Sequence, residues 1–304
     1  MIKFSICVAT YKRPELLKKL IDSLLIQKSI ELAEVEIIIV DNDLNESARP
    51  VIDNFLGKHQ CDISYFVQPE KNISLTRNLA LDKIKGEYVF FIDDDEYADE
   101  DWMRNHLINL SKYNAIAAFG KVISYFSDST PEWIKNCMVY QRNTNPSGQE
   151  PVNMNTGNCI VKSDLFKVKG YRLDKEYGVT GGSDYELFSR MLNDGYKLVS
   201  CFEAITYEFV PESRANIKWL IRRVARTGNN FARTQIEQSK GIKKIIVWSR
   251  EFFKGLIQSL LALIVSILMI WNPTKSLNWF LTSVSNIMKP LAALGIYYQE
   301  YKVS

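Results

Sequence analysis

Tyr88-Val89-Phe90-Phe91-Ile92-Asp93-Asp94-Asp95-Glu96 decides the fold class. Apolar β-formers run directly into clustered acids, the pattern of a buried strand that delivers carboxylates to a sheet edge. Adjacent aspartates repel one another unless a cation or strong donors hold them. Hard divalent ions take such oxygen ligands, and Mg²⁺ commonly shares its shell with substrate phosphates. Two readings stand at this point: a metal clamp on a phosphorylated ligand, or a solvated acidic turn.

Working outward, strand and helix patterns alternate from the start of the chain. Phe4–Ala9 reads as a strand, and Pro14 opens a helix over Glu15–Gln27. Val35–Val40 and Ile63–Val67 read as further strands, with helices near Ser47–Leu56 and Leu75–Ile84. This βαβα order with apolar strands predicts a parallel sheet between helices, and ligands of such sheets bind beyond the strands' carboxyl ends. The polar clusters fall there: Thr10-Tyr11-Lys12-Arg13, Asp41-Asn42-Asp43 and Asp93–Glu96. No GxGxxG turn or GxxxxGK[ST] loop is present, so phosphate charge is left to the aspartates and a metal.

Beyond Ile116 the pattern turns mixed, with strand-like pieces at Ala117–Ile123, Asn158–Val161 and Lys197–Ser200. The Asn-, Pro-, Gly- and Ser-rich stretch Asn143–Asn155 reads as a mobile loop, long enough to cover an active site. Gly178-Val179-Thr180-Gly181-Gly182-Ser183-Asp184 leads into a helix over Tyr185–Leu192. Ser183 or Asp184 is placed to cap it, and the glycines let a ligand approach the backbone.

The five cysteines are scattered without CxxC spacing, which excludes a disulfide framework or a zinc site. His59 and His106 lie far apart, against a histidine-based metal or catalytic centre. Net charge is +3, but Lys218–Lys254 carries a local +8 and leaves −5 for the remainder. A basic segment on an acidic body points to an anionic surface or ligand beside that segment.

The strand-end clusters, in this order, resemble the family 2 glycosyltransferases, nucleotide-sugar enzymes of the GT-A fold, over roughly residues 3 to 210. The fold the resemblance implies is an α/β, Rossmann-like mixed sheet flanked by helices. In that family a Thr-x-x-Arg-Pro-like turn contacts the nucleotide, matched by Thr10, Arg13 and Pro14. The acid after the second strand recognises a uracil-type base, matched by Asp41; an Asn-x-x-x-x-Arg-Asn segment lines the same pocket, matched by Asn72, Arg77 and Asn78. The family's Asp-x-Asp falls on Asp93 and Asp95, expected to hold Mg²⁺ or Mn²⁺, with Asp94 between them on the donor side. The catalytic base, usually in a Glu-Asp pair at a helix head, falls on Asp184, with Ser183 where the Glu would stand. One base and no covalent intermediate imply inversion at the anomeric carbon. Each residue also has a plainer reading: Asp41 as a turn cap, Arg77 as a surface ion pair, Thr10 as a partner for backbone groups, and Trp102, Trp133 and Tyr185 as packing rather than sugar platforms.

In the C-terminal third, Arg222, Arg226 and Arg233 share one face of a helix-like stretch over Ile217–Ile236. That face suits phosphate or lipid contacts, or is a solvated basic face. Gly255–Thr274 holds no charged residue and follows Lys243, Lys244, Arg250 and Lys254. Leu277–Tyr298 is amphipathic and interrupted by Lys289 and Pro290. One membrane span, a helical hairpin and helices lying in the interface compete here with burial in a soluble fold. The expected organisation is a catalytic domain over 1–212, with a nucleotide-binding half about 1–98 and an acceptor-binding half about 99–212, then a basic helix and membrane-associating helices over 213–304.

The whole reads as an inverting glycosyltransferase that uses a nucleotide-sugar, UDP-linked by the resemblance, and a divalent metal. The acceptor implied is a lipid-linked glycan in surface-polysaccharide assembly, with no nucleic-acid partner. No charged leader, h-region or cleavage site precedes the first strand, so the catalytic body is expected on the cytosolic face of the inner membrane. The alternatives are a nucleotide-sugar-binding membrane scaffold without turnover, or a nucleotidyltransferase on the same scaffold.

Overall fold

The structure, a computed structural model, describes residue 1 and residues 3–142 and 144–298. Eight strands form one mixed sheet: β1 (Phe4–Thr10), β2 (Val35–Asp41), β3 (Asp62–Val67), β4 (Tyr88–Asp93), β5 (Glu96–Ala98), β6 (Ala117–Phe126), β7 (Asn158–Lys162) and β8 (Leu198–Val210). Their order is β3-β2-β1-β4-β7-β6-β8-β5. β2 pairs parallel with both β1 and β3, and β4 pairs parallel with β1; β7 then runs antiparallel to β4 and to β6. Among the described residues, seven helices reach nine residues: α1 (Pro14–Leu24), α2 (Ile73–Leu81), α3 (Trp102–Lys112), α4 (Ser183–Asn193), α5 (Ile217–Glu237), α6 (Gly241–Leu268) and α7 (Pro273–Ala293).

The chain divides into two compact units, one of Met1–Ile123, Arg142–Gly178 and Leu187–Phe209, the other of Ser124–Gln141, Val179–Glu186 and Val210–Ser304. In the first, β2 is buried at all seven positions, as a central parallel strand requires. Leu17, Leu20, Ile21 and Leu24 of α1 follow the i, i+3, i+4, i+7 spacing of a core-facing stripe and join Ile6, Val8, Ile37, Ile39, Phe90 and Ile92 in one core. The register sets Thr10 beside Asp41 and Ala9 beside Asp93, which brings three strand ends to a common level.

The second unit is built on three long helices. Leu220 and Val224 of α5 pack with Leu277 and Leu281 of α7, together with Ile134, Cys137 and Tyr140. α6 and α7 form an antiparallel hairpin. Ser259 Oγ donates to the Ser283 carbonyl at 3.0 Å and Ser266 Oγ to the Ser276 carbonyl at 2.9 Å.

Three sequence expectations are corrected. β8 runs thirteen residues rather than ending at Ser200, because alternation resumes at Ala204 and every second residue to Val210 is buried. The helix expected over Ser47–Leu56 shrinks to Arg49–Ile52. The loop expected to move over 143–155 is tethered in its middle, and its first residue, Asn143, lies outside the described residues. Gly148 N donates to Ser200 O and Ser200 N to Gln149 O, at 3.0 and 2.8 Å. Gly148 is left-handed at φ 88°, and a Cβ there would lie 2.2 Å from the Tyr113 ring, so the turn sits flush on that side chain.

α5 approaches α7 closely only because position 228 has no side chain: a Cβ would stand 1.9 Å from the Ser285 carbonyl oxygen. We predict that Gly228→Ala destabilises the protein by about 1–3 kcal/mol through overpacking, read as a lowered thermal unfolding midpoint in detergent.

Candidate active site

β4 ends by placing acids where β1 and α2 can answer them. Arg13 Nη1 donates to Asp94 Oδ1 and to Asp95 Oδ2, both at 2.9 Å. Thr10 Oγ1 donates to Asp94 Oδ2 at 2.9 Å, and Arg77 Nη2 to Asp93 Oδ1 at 2.8 Å. Lys12 in the left-handed region (φ 55°) turns the chain between Thr10 and Arg13, and Pro14 starts α1 at its first position. The Asp93 side chain is 41% exposed, whereas those of Asp94 and Asp95 are 7% and 9% exposed. Asp93 is thus the member of the run that water reaches. Burial, opposed by Arg13 and helped by Asp95, pushes the Asp94 carboxyl up to about 6.

A buried polar network continues from the run. Glu96 accepts from Thr206 Oγ1 at 2.5 Å and faces Arg142 at 3.7 Å, while Arg142 also pairs with Glu208. Burial first, then Asp93, raises the Glu96 carboxyl well above its usual range. Thr206 and the carbonyls of Lys121 and Ala204 receive Asn158 Nδ2. Trp102 Nε1 and His106 Nε2 converge on Asn158 Oδ1 at 2.8 and 2.7 Å. That oxygen only accepts, so His106 carries its proton on Nε2, and among the described residues its buried Nδ1 has no partner. Sequence reading missed Glu208, Arg142 and Asn158. Glu208 lies in the part of β8 that was not expected, and Arg142 precedes a loop with no periodicity.

Other expected site residues have structural duties. Asp41 has no exposed surface. Its Oδ1 accepts from Asp43 N, and its Oδ2 from Ala48 N and Tyr65 Oη, each at 2.9 Å. These three bonds fix the loop after β2. Asn72 caps α2, accepting from Ser74 N and Leu75 N, and Asn78 bonds both the carbonyl and the amide of Leu173. Of the Asn-x-x-x-x-Arg-Asn residues, Arg77 reaches the acids. Trp102 is fully buried and serves packing.

In the second unit, Asp184 lies in the first turn of α4, where helix N–H groups favour negative charge. Its Oδ1 accepts from Tyr185 N at 2.9 Å, and the residue is half-buried. Gly181 and Gly182, at φ 82° and 89°, form the approach to it. Asn230 Nδ2 donates to the carbonyls of Thr180 and Gly181 at 3.2 and 2.8 Å. Arg226 runs alongside Gly181, where a Cβ would lie 3.2 Å from its Cδ. Arg233 is buried and pairs with Glu237 at 2.9 Å, whereas Arg222 is exposed. The single basic face expected on α5 is therefore graded from solvent into the fold.

Residues 5–172, more than half of the chain, match the family described as Glycosyl transferase family 2. The chain belongs to glycosyl transferase family 2. It is a glycosyltransferase, and its sheet with flanking helices is the GT-A fold. Among family relatives, the succinoglycan biosynthesis protein ExoM of Rhizobium meliloti (strain 1021) is 31% identical over 243 residues, 80% of this chain and 78% of that one. TarS of Staphylococcus aureus (strain Mu50 / ATCC 700699), a poly(ribitol-phosphate) β-N-acetylglucosaminyltransferase, is 25% identical over 141 residues; these are 43% of this chain but 24% of TarS. A crystal structure of S. aureus TarS 1–349 with UDP-GlcNAc superposes with TM-score 0.56 at 15% identity, over 98% of this chain and 93% of that one. The mannosyltransferase PcManGT of Pyrobaculum calidifontis, with GDP-Man and Mn²⁺, gives TM-score 0.64 at 16% identity, over 95% and 87%. At these identities the two structures speak for the fold alone.

Among the described residues, no three His, Cys, Asp or Glu side chains are arranged as a metal site. The donor set nevertheless suits a hard divalent cation. It is all carboxylate oxygen, and Asp93, Asp94, Asp95, Glu96 and Glu208 outnumber Arg13, Arg77 and Arg142. That excess of negative charge is what a bound cation would balance.

The network also titrates at a distance from the acids. Burial lowers His106 to about 4, with the Asn158 bond opposing. The unfolded chain therefore binds the extra proton below about 6.5, and the folded protein does not until about 4. Stability from this group is complete above about pH 6.5 and is lost as pH falls towards 4, by about 3 kcal/mol in all. We predict that His106→Gln flattens this part of the stability–pH profile measured by denaturant unfolding.

Proposed function

We propose that the protein transfers a sugar from a nucleotide-diphosphate donor, UDP-linked by the family resemblance, to a hydroxyl of a lipid-linked glycan during polysaccharide assembly, with inversion. The observation that carries this reading is the acid run at the end of β4, held from two sides by Arg13 and Arg77 and left with excess negative charge. The similarity to ExoM, a succinoglycan biosynthesis protein, supports the polysaccharide context.

In this proposal Asp93 and Asp95 would hold Mg²⁺ or Mn²⁺, and the ion would supply charge compensation for the departing diphosphate. Arg13 and Arg77 change partners when the donor enters, releasing carboxylate oxygens and turning guanidinium N–H groups to phosphate. Thr10 keeps Asp94 aligned beneath them, and Asp41 shapes the base pocket through the loop from Asn42 to Ala48. Asp184 takes the proton from the acceptor hydroxyl as it attacks the anomeric carbon. Arg222 and Arg226 are assigned to phosphate, and Arg233 to bracing α5. Residues 1–212 form the catalytic domain, with its nucleotide-binding half about 1–98, and 213–304 associate with the cytosolic face of the inner membrane.

The donor site is tested by calorimetric titration of UDP, GDP and dTDP with and without Mn²⁺. One nucleotide is expected to bind in a metal-dependent way, and Asp95→Ala to weaken it at least about 10-fold. Absence of binding by every nucleotide under both conditions would sink the reading. Asp184→Asn is expected to lower turnover by about 10²–10⁴-fold, the usual share of a general base, with nucleotide affinity unchanged. Full activity of that variant would remove Asp184 from the mechanism.

A further inference from the structure

α6 is built inside out. The side it buries carries Val247, Glu251, Gly255, Ser259, Ala262 and Ser266, a stripe that is mostly small or polar. About 180° around the helix, Phe253, Ile257, Leu260, Ile264 and Ile267 are exposed, from 46% to 63%. A helix of a water-soluble core shows the reverse pattern. The buried stripe is accounted for by α7: Ser259 and Ser266 bond across the hairpin, and Gly255 lies where a Cβ would be 2.7 Å from Pro290 Cδ. The outer stripe is a long apolar surface, far beyond scattered exposed residues.

What covers it is indicated by charge. Lys243, Arg250 and Lys254 are exposed along one flank of the stripe. Glu251, the one acid of α6, is buried against Arg250 at 2.8 Å. A basic border along an apolar face suits a bilayer with anionic headgroups, where stems lie along the surface and ammonium groups reach phosphate.

The packing also decides the attitude. Among the described residues α6 alone has the length and apolar composition of a membrane-crossing helix, but it is joined to α7, and α7 is packed on α5. Leu277 and Leu281, just past the hairpin tip, are covered by Leu220 and Val224. Lys218 and Arg222, exposed on that same end of α5, would enter hydrocarbon if the tip did.

We propose that α6 lies in the plane of an anionic lipid surface, its outer stripe in the acyl–headgroup boundary, and that the hairpin does not span. The proposal rests on the membrane association stated above and chooses among its topologies.

The test uses the full chain with vesicles of phosphatidylcholine, with or without phosphatidylglycerol. The five native cysteines are all buried, so Phe253→Cys, Ile257→Cys, Leu260→Cys, Ile264→Cys and Lys275→Cys can each carry a fluorescent label. A quencher held at shallow depth should reach the first four equally. Lys275→Cys should react with impermeant maleimide added outside sealed vesicles. Ile257→Ser, Leu260→Ser and Ile264→Ser together should abolish binding, and circular dichroism should show the fold kept. Lys243→Gln and Lys254→Gln together should weaken binding to the phosphatidylglycerol vesicles by about 10–30-fold, without changing binding to phosphatidylcholine alone. Quenching that deepens steadily towards a protected Lys275→Cys would overturn the in-plane attitude and leave membrane association standing. No vesicle binding, with dimers growing with concentration, would give the face to a second copy of the chain and overturn both. Nucleotide titration in detergent, run in parallel, separates either failure from failure of the donor site.

Discussion

Four consecutive carboxylates at the end of a buried strand repel one another, and no local rearrangement of the turn removes the repulsion. Two like charges about 4 Å apart in an environment of dielectric about 20 differ from neutrality by about 4 kcal/mol, which is comparable to the whole stability of many domains. The protein answers with guanidinium groups from separate segments: Arg13 after β1, Arg77 from α2 and Arg142 from the approach to β7. Each is positioned by the conformation of its own segment. Lys12 and Arg142 occupy left-handed backbone at φ 55° and 35°, and Asn72 caps the helix that carries Arg77. Strain of this kind persists where the surroundings over-determine it. Burial, with Arg13 opposing, also pushes the Asp94 carboxyl up to about 6.

The strand ends were legible because their signal is short-range. An apolar run that stops at a polar cluster reports both burial and direction, so β1, β2 and β4 and the acids of β4 could be read from composition alone. The register that sets Thr10 beside Asp41, and Ala9 beside Asp93, follows once three such strands lie parallel. The partners of those acids were harder to read. Thr10 and Asp94 are 84 positions apart, and nothing in a local pattern couples them. The Arg142–Glu208 pair likewise joins positions 66 apart, and Arg142 lies beside a segment without clear periodicity.

Asp41, Asn72 and Asn78 show a different limit. Short polar side chains at strand ends and helix heads satisfy backbone groups as readily as they bind ligands, and sequence does not separate the two uses. Asp41 spends both oxygens on three donors, and Asn72 spends its carbonyl on two amides. Arg77, one turn further along α2, has a side chain too long for such local bonds and reaches Asp93 instead. Side-chain reach, more than residue polarity, distinguishes the group aimed at the acids from the groups that hold the frame.

The second unit reads as a gradient of solvents. α5 is amphipathic in the ordinary sense: Leu220 and Val224 face inward, and Lys218 and Arg222 face water. α7 lies between its neighbours, with Leu277 and Leu281 turned to α5 and Ser283 and Pro290 turned to α6. α6 then reverses the rule, burying serine and glycine and exposing leucine and isoleucine. Small residues let two helices approach closely, and hydroxyl-to-carbonyl bonds hold them where burial of apolar surface offers no gain. Serine pairing between α6 and α7, in place of apolar packing, is the arrangement expected when the outer face of α6 meets lipid and not water. The composition of residues 255–274 thus becomes consistent once each face of the helix is assigned its own solvent.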